Sequence, residues 1–185
     1  VFIDRRPDGP TLAGRPTRRV FVELHIRRAT PADAAVVADF NAALAWETEH
    51  KRLDPAVLAA GVAAVLADPA KGFYTVAERD GEVVGQVLVT YEWTDWRNGW
   101  YWWVQSVYVR ADARRAGVFR TLYRHLEAVA QADPSVIGLR LYVERDNTAA
   151  QAVYRSLGLA DEPYFLMGRY PLPGRAGFPE GQYGS

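Results

Sequence analysis

The chain contains no cysteine. That absence removes disulfides, thiolate-bound zinc, iron–sulfur clusters and a thiol nucleophile, and it excludes a small disulfide-built secreted scaffold. Lysine is nearly missing as well. Lys51 and Lys71 are the two present, and every other basic residue is arginine. With abundant alanine, this reads first as a GC-rich genome bias. Net charge is also lacking, because 22 acidic residues balance 22 basic ones. No global field therefore favours nucleic acid or an anionic membrane. No apolar run reaches the roughly 18–20 residues that a membrane span needs. The N-terminal stretch is charged without a signal-peptide apolar core, so the expectation is a cytoplasmic protein. His25, His50 and His125 have no ligand spacing, so no metal site is expected. GxSxG, the P-loop pattern and GxGxxG are absent, which disfavours hydrolases of the first type and nucleotide binders of the other two. What remains is 185 residues, 49% apolar and 24% charged, enough for one domain with its own core.

Residues 1–20, rich in Pro, Gly and Arg, read as a flexible arm, and 171–185 as a loose tail. Between them strands and helices alternate over 21–170. VELHIRRA (22–29) reads as a strand. Thr30-Pro31 starts a helix running to about Trp46, and Asp54-Pro55 starts a second that ends before Asp68-Pro69. FYTVAER (73–79) and EVVGQVLVTYEW (82–93) flank Asp80-Gly81, a hairpin turn suited to positive φ. WYWWVQSVYV (100–109) is an aromatic, β-branched strand. Val118, Leu122, Leu126 and Val129 have helical spacing within 117–132. VIGLRLYVE (136–144) reads as a strand, Asn147 begins a helix ending near Gly158, and YFLMGRY (164–170) reads as a last strand.

The stretch VQSVYVRADARRAGVFRTLYRHL (104–126) joins a strand, a basic loop and a helix start. Unpaired N–H groups at a helix N-terminus suit phosphate oxygens, and Arg114, Arg115 and Arg120 add charge there. Gly117 permits close backbone approach. On these residues alone, a helix cap with solvated arginines is the favoured reading.

Two motifs in order carry a resemblance. Arg114, Gly117 and then Phe119 follow the loop pattern of Arg or Gln, two residues, Gly, one residue, Gly or Ala, with Phe119 departing at the last place. Asn147, Ala150, Tyr154 and Gly158 form the second motif. With the order of elements, they make residues 22–170 resemble the GNAT superfamily of acetyl-CoA-dependent N-acetyltransferases. The resemblance implies an α/β (α+β) fold: a mixed, mostly antiparallel central sheet of six to seven strands with helices on both faces. It also implies acetyl-CoA as cosubstrate and a primary amine as acceptor. The backbone at Val107, Tyr108 and Val109 would meet the pantetheine arm. The loop Arg114, Arg115, Ala116, Gly117, Val118, Phe119 and Arg120 would hold the pyrophosphate. Asn147 would contact the cofactor, and Tyr154 would contact it and donate a proton to the leaving sulfur. Some members carry a glutamate midway along the fourth strand, where this chain has Trp102-Trp103-Val104-Gln105. Glu47, Glu49, Glu92 and Glu144 are the remaining candidates for a general base, and a water chain is the alternative.

Trp93, Trp96, Trp100, Trp102 and Trp103 crowd one stretch, as sheet core, an aromatic wall for an acceptor, or a subunit interface. The expectation is transfer to a small-molecule amine with no covalent enzyme intermediate, no nucleic acid or membrane partner, and a homodimer left open. A non-catalytic acyl-CoA-binding module on the same fold, or a longer acyl donor, is the rival reading.

Overall fold

The computed structural model describes residues 23–169. The arm at 1–20 and the tail at 171–185 lie outside the described residues. The elements are β1 (His25–Arg28), α1 (Ala34–Glu49), α2 (Pro55–Ala67), β2 (Phe73–Arg79), β3 (Glu82–Thr94), β4 (Gly99–Val109), α3 (Val118–Ala132), β5 (Val136–Leu141) and α4 (Thr148–Ser156). Short 3-10 turns at Pro31–Asp33 and Ala111–Ala113 precede α1 and α3. The strands form one sheet in the order β1-β2-β3-β4-β5. Neighbours are antiparallel except β4 and β5, which are parallel.

The punctuation seen in the sequence sets most boundaries. The Asp54 carboxylate accepts the N–H groups of Ala56 and Val57 and caps α2, with Pro55 in its first turn. Asp80 and Gly81 both take positive φ (54° and 81°), as a two-residue hairpin turn requires. α1 runs past Trp46 to Glu49 and stops at His50, whose φ is 53°.

Strand alternation splits the core in two. Tyr74 and Val76 face α1 and α2 and pack with Val37 and Val62. Phe73, Ala77, Val87, Val89, Trp102, Val104 and Val107 face α3 and α4, where Val118, Leu122, Leu126 and Tyr154 meet them. Helices thus cover both faces.

The sheet has five strands among the described residues, not the six to seven expected. Residues 164–169 of the expected last strand are irregular, and Tyr164, Phe165, Leu166 and Met167 are exposed. β-propensity yields a strand only with a partner strand and a face to pack on, and among the described residues this segment has neither. Likewise β5 ends at Leu141 rather than Glu144, because its pairing with β4 stops at Val104.

Candidate active site

The end of that pairing opens the site. β4 pairs with β3 along its length, yet with β5 only from Trp100 to Val104. Gln86 faces Tyr108 while Leu88 faces Gln105, so Ser106 and Val107 together oppose Val87. This is a β-bulge, and Ser106 adopts a left-handed φ of 46°. The Arg110 N–H donates to the Val84 carbonyl at 2.9 Å. By alternation, Tyr108 directs its main-chain groups toward β3, while Val107 and Val109 direct theirs to the edge that β5 has left. The Val109 carbonyl accepts from Arg114 Nε at 2.9 Å. The Val107 peptide groups and the Val109 N–H share that edge.

The chain then turns through Ala111–Ala113 into α3. Arg115 (φ 65°) and Gly117 (φ 81°) are both left-handed. A Cβ on Gly117 would meet no atom within 4 Å, so glycine here serves conformation and leaves the approach open. The Thr121 N–H reaches the Gly117 carbonyl at 3.0 Å, which starts the helical ladder. The N–H groups of Val118, Phe119 and Arg120 precede that bond and have no acceptor within the helix. No acidic residue lies in this first turn, while Arg120 is exposed there.

Arg114 does not lie along the loop surface as expected of a pyrophosphate contact. Its guanidinium turns inward, donates to Glu47 Oε2 at 2.7 Å and stands 5.4 Å from the Tyr108 ring centroid. The Tyr108 hydroxyl donates to Glu47 Oε1 at 2.9 Å. Burial, and then Glu47, push the Tyr108 phenol up. Glu47 therefore joins the last turn of α1 to the end of β4 and to the loop. This link spans 67 residues of chain, and the phenol's part in it was missed at the sequence level.

The other glutamates lie elsewhere. Glu49 is half-exposed and pairs with Lys51 at 2.7 Å. Glu92 accepts from Trp103 Nε1 at 2.6 Å and from Arg140 at 2.8 Å. Trp103 is four residues from Val107, about 13 Å at ~3.3 Å per residue, so this group stands apart from the open edge. Glu144 is exposed after β5, and its carbonyl accepts from Gln151 Nε2 at 3.0 Å.

On α4, Asn147 Oδ1 accepts the Ala150 N–H at 3.0 Å, so the asparagine caps its own helix. Tyr154 lies two turns on and is 3% exposed, in one apolar cluster with Val107, Val109, Phe119, Leu141 and Val143. Its hydroxyl is buried and has no hydrogen-bond partner among the described residues. Burial pushes its phenol well above the ordinary value. Phe119, the departure from the loop pattern, meets Tyr154 edge-on, with centroids 5.7 Å apart and planes at 75°. Its bulk goes into the core between α3 and α4, not over the loop.

The five tryptophans divide between roles. Trp102 is buried edge-on against Phe73, and Trp103 stacks on Tyr142 with centroids 4.3 Å apart. Trp93 and Trp100 are partly exposed, and Trp96 is 90% exposed near the β3–β4 turn.

A mixed sheet parted beside a bulged strand, with a helix N-terminus beyond the parting and a buried phenol packed behind the bulged strand, defines a class of α+β domain. Comparison with known proteins narrows this class: the chain belongs to the acetyltransferase (GNAT) family, whose model matches residues 35–159. Among curated relatives, a mycothiol acetyltransferase of Mycolicibacterium gilvum is 35% identical over 130 residues, 68% of this chain and 41% of the relative. One of Streptomyces avermitilis is 38% identical over 146 residues, 74% of this chain and 42% of the relative. The chain thus spans less than half the length of these relatives. Among solved structures, one described as a possible acetyltransferase from Clostridium difficile 630 is 42% identical, with a TM-score of 0.77, covering 80% of this chain and 98% of that one. A ribosomal-protein-alanine N-acetyltransferase from Brucella melitensis biovar Abortus 2308 shares the fold, with a TM-score of 0.66 at 21% identity, covering 80% of this chain and 99% of that one.

Proposed function

We propose that the protein moves the acetyl group of acetyl-CoA directly onto a primary amine of a small molecule. The observation that carries this reading is the buried, unpartnered Tyr154 hydroxyl, on a residue that packs in one cluster with Val107 and Val109 of β4. A buried O–H without a partner costs about 1–3 kcal/mol. A ligand sulfur arriving in the gap would satisfy it.

The residues present suit such a ligand. The first-turn N–H groups of α3 offer donors to a pyrophosphate, with Gly117 open in front of them. Arg120 is a cation at the positive end of a helix, an unfavourable place that an anion neutralises. Val107 and Val109 present strand-like polar groups to the amides of an extended arm. A Val107 N–H on the thioester oxygen would stabilise the charge that develops there.

In the transfer the amine nitrogen forms a bond to the carbonyl carbon, and the bond from carbon to sulfur breaks. The amine gives its proton to water, Tyr154 supplies the hydrogen bond and proton that the departing thiolate takes, and a proton returned through water restores the phenol. The phenol is protonated at neutral pH, since its ordinary value is 10.0 and burial pushes it higher. Glu47 shapes the acceptor side rather than serving as the base, since Tyr108 and Arg114 engage both of its oxygens. Glu49 and Glu92 are likewise committed to Lys51 and to Trp103 with Arg140.

That commitment of the carboxylates favours a second reading, an acyl-CoA-binding module without turnover. A panel of amines separates the two, with mycothiol-pathway, polyamine, aminoglycoside and amino-acid acceptors scored by thiol release. Acetyl-CoA-dependent release with any acceptor supports transfer. Saturable binding with no release across the panel supports the module.

A further inference from the structure

One polar side chain lies deep in the sheet, outside the roles assigned so far. Gln86 is fully buried (0% exposed) in β3, in the run Val84-Gly85-Gln86-Val87-Leu88-Val89. Its Nε2 donates to Asn41 Oδ1 at 2.7 Å and, over a longer 3.4 Å, to the Ser106 carbonyl. Asn41 Nδ2 donates in turn to the Tyr74 hydroxyl at 3.0 Å. Hydrogen bonds thus run from β2 through α1 and β3 to the bulge in β4.

Packing does not explain this chain. Val37, Val62 and Val76 form an apolar cluster around Tyr74 on the same face of the sheet. A pair of apolar residues at 86 and 41 would suit that face, because replacing both partners of a buried hydrogen bond by apolar groups of similar shape is close to neutral. Gln86 Oε1 is itself buried without a partner, so the amide is kept at a cost. What the amide supplies is a donor to Ser106. Serine at a φ of 46° is in backbone that L-residues avoid, and such a residue persists only where its surroundings hold it. A carbonyl can be held there by a donor and not by a methyl group.

We propose that Gln86, backed by Asn41, is a positioning residue for the transfer step. It fixes the Ser106 bulge and thereby the direction of the Val107 N–H at the open edge. Neither side chain touches substrate. This inference rests on the acetyl transfer proposed above.

The test compares the wild-type chain with Gln86→Met, which keeps length and volume but loses the donor, and with Asn41→Leu and Asn41→Asp. Asn41→Asp retains an acceptor for Gln86 and serves as the conservative rescue. The expected result for Gln86→Met is a kcat about 10- to 100-fold lower, as a misplaced donor produces. Its acetyl-CoA Kd should change less than about threefold, while its thermal midpoint should fall modestly, because Asn41 Oδ1 and the Ser106 carbonyl lose their donor. Asn41→Leu should follow Gln86→Met, and Asn41→Asp should regain most of kcat. Amide hydrogen exchange at Ser106 and Val107 should quicken in Gln86→Met and in Asn41→Leu, so either variant alone suffices if the other fails to fold. An active wild type with unaltered kcat and exchange in these variants overturns this inference alone. A wild type that neither binds nor turns over acetyl-CoA overturns it together with the transfer reading.

Discussion

Tyr154 holds a phenol where the fold alone has no use for a hydroxyl. Tyr154→Phe should therefore separate stability from activity. Removing an oxygen that lacks a partner should leave thermal stability unchanged or raise it. The same change should lower kcat by about 10²-fold, within the span of general-acid effects, with little change in acetyl-CoA affinity. Unchanged kcat would remove Tyr154 from the proton path. Glu47 makes the opposite case. Glu47→Gln removes the charge that pairs with Arg114 but keeps an acceptor for Tyr108, so it should weaken acetyl-CoA binding through the loop and lower kcat less than about tenfold. A loss of three or more decades in kcat would instead make Glu47 the base.

At the scale of elements, a carboxylate–guanidinium group joins β1, β2 and the entry to α1. Arg27 donates to Asp33 Oδ1 and Oδ2 at 2.8 Å and to Glu78 Oε1 at 2.6 Å. Asp33 is buried and also accepts the Thr30 N–H at 2.7 Å. The Arg27 hydrogen bonds hold the Asp33 carboxyl down from 3.8 to about 2, against the opposing effect of burial. A carboxyl lowered on folding adds stability above its unfolded pKa, and that stability is lost as pH falls through the folded one. Asp33 should thus contribute about 2 kcal/mol at neutral pH, fading between pH 3.8 and about 2. Urea titrations of Asp33→Asn and wild type should differ by this amount at pH 7 and converge near pH 2. An equal gap at both pH values would show that the contribution is packing, not charge.

Legibility in the sequence also divides by element. Starts and turns were readable where Pro, Asp, Asn and Gly act locally, as at Asp54-Pro55, Asp80-Gly81 and Asn147. The helical face of α3 was readable for the same reason, since its period lies within one segment, although Val129 is exposed and Ala130 is buried in its stead. The strand expected at 164–170 failed because a strand needs a distant partner, and alternation in YFLMGRY does not announce one. The site divides likewise. Tyr154 and Gly117 stand in short motifs, whereas the inward turn of Arg114 depends on Glu47, far away in the chain. At the sequence level Gln86 is only part of the strand 82–93, although it is a polar residue inside an apolar run. Its partner Asn41 was not legible, because α1 reaches β3 only after folding.

For the whole molecule, the tyrosines set the behaviour in alkali. Burial raises the Tyr123 phenol from 10.0 to about 12, with Glu127 adding to the effect. Burial raises Tyr74, Tyr91, Tyr108 and Tyr154 as well. Folding keeps these phenols protonated, so the unfolded chain binds fewer protons once pH passes the unfolded value of 10.0. Stability is therefore fully present below that pH and falls as pH climbs toward the folded values. Denaturant unfolding followed with phenolate absorbance should show a falling midpoint above pH 10 and phenolate appearing together with unfolding. Early phenolate formation in the native protein would contradict this burial.

The molecule is arranged around the gap between β4 and β5, and that gap is most directly tested by titrating acetyl-CoA against intrinsic tryptophan fluorescence, checked by calorimetry. Wild type, Gly117→Asn and Gly117→Glu should be compared. Asparagine tolerates the left-handed φ of 81° without adding charge, so it separates backbone strain from repulsion of a pyrophosphate. Acetyl-CoA should bind wild type saturably, Gly117→Asn more weakly, and Gly117→Glu not at all. Equal affinity for all three chains, or no binding to wild type up to millimolar acetyl-CoA, would contradict a cofactor site in the gap.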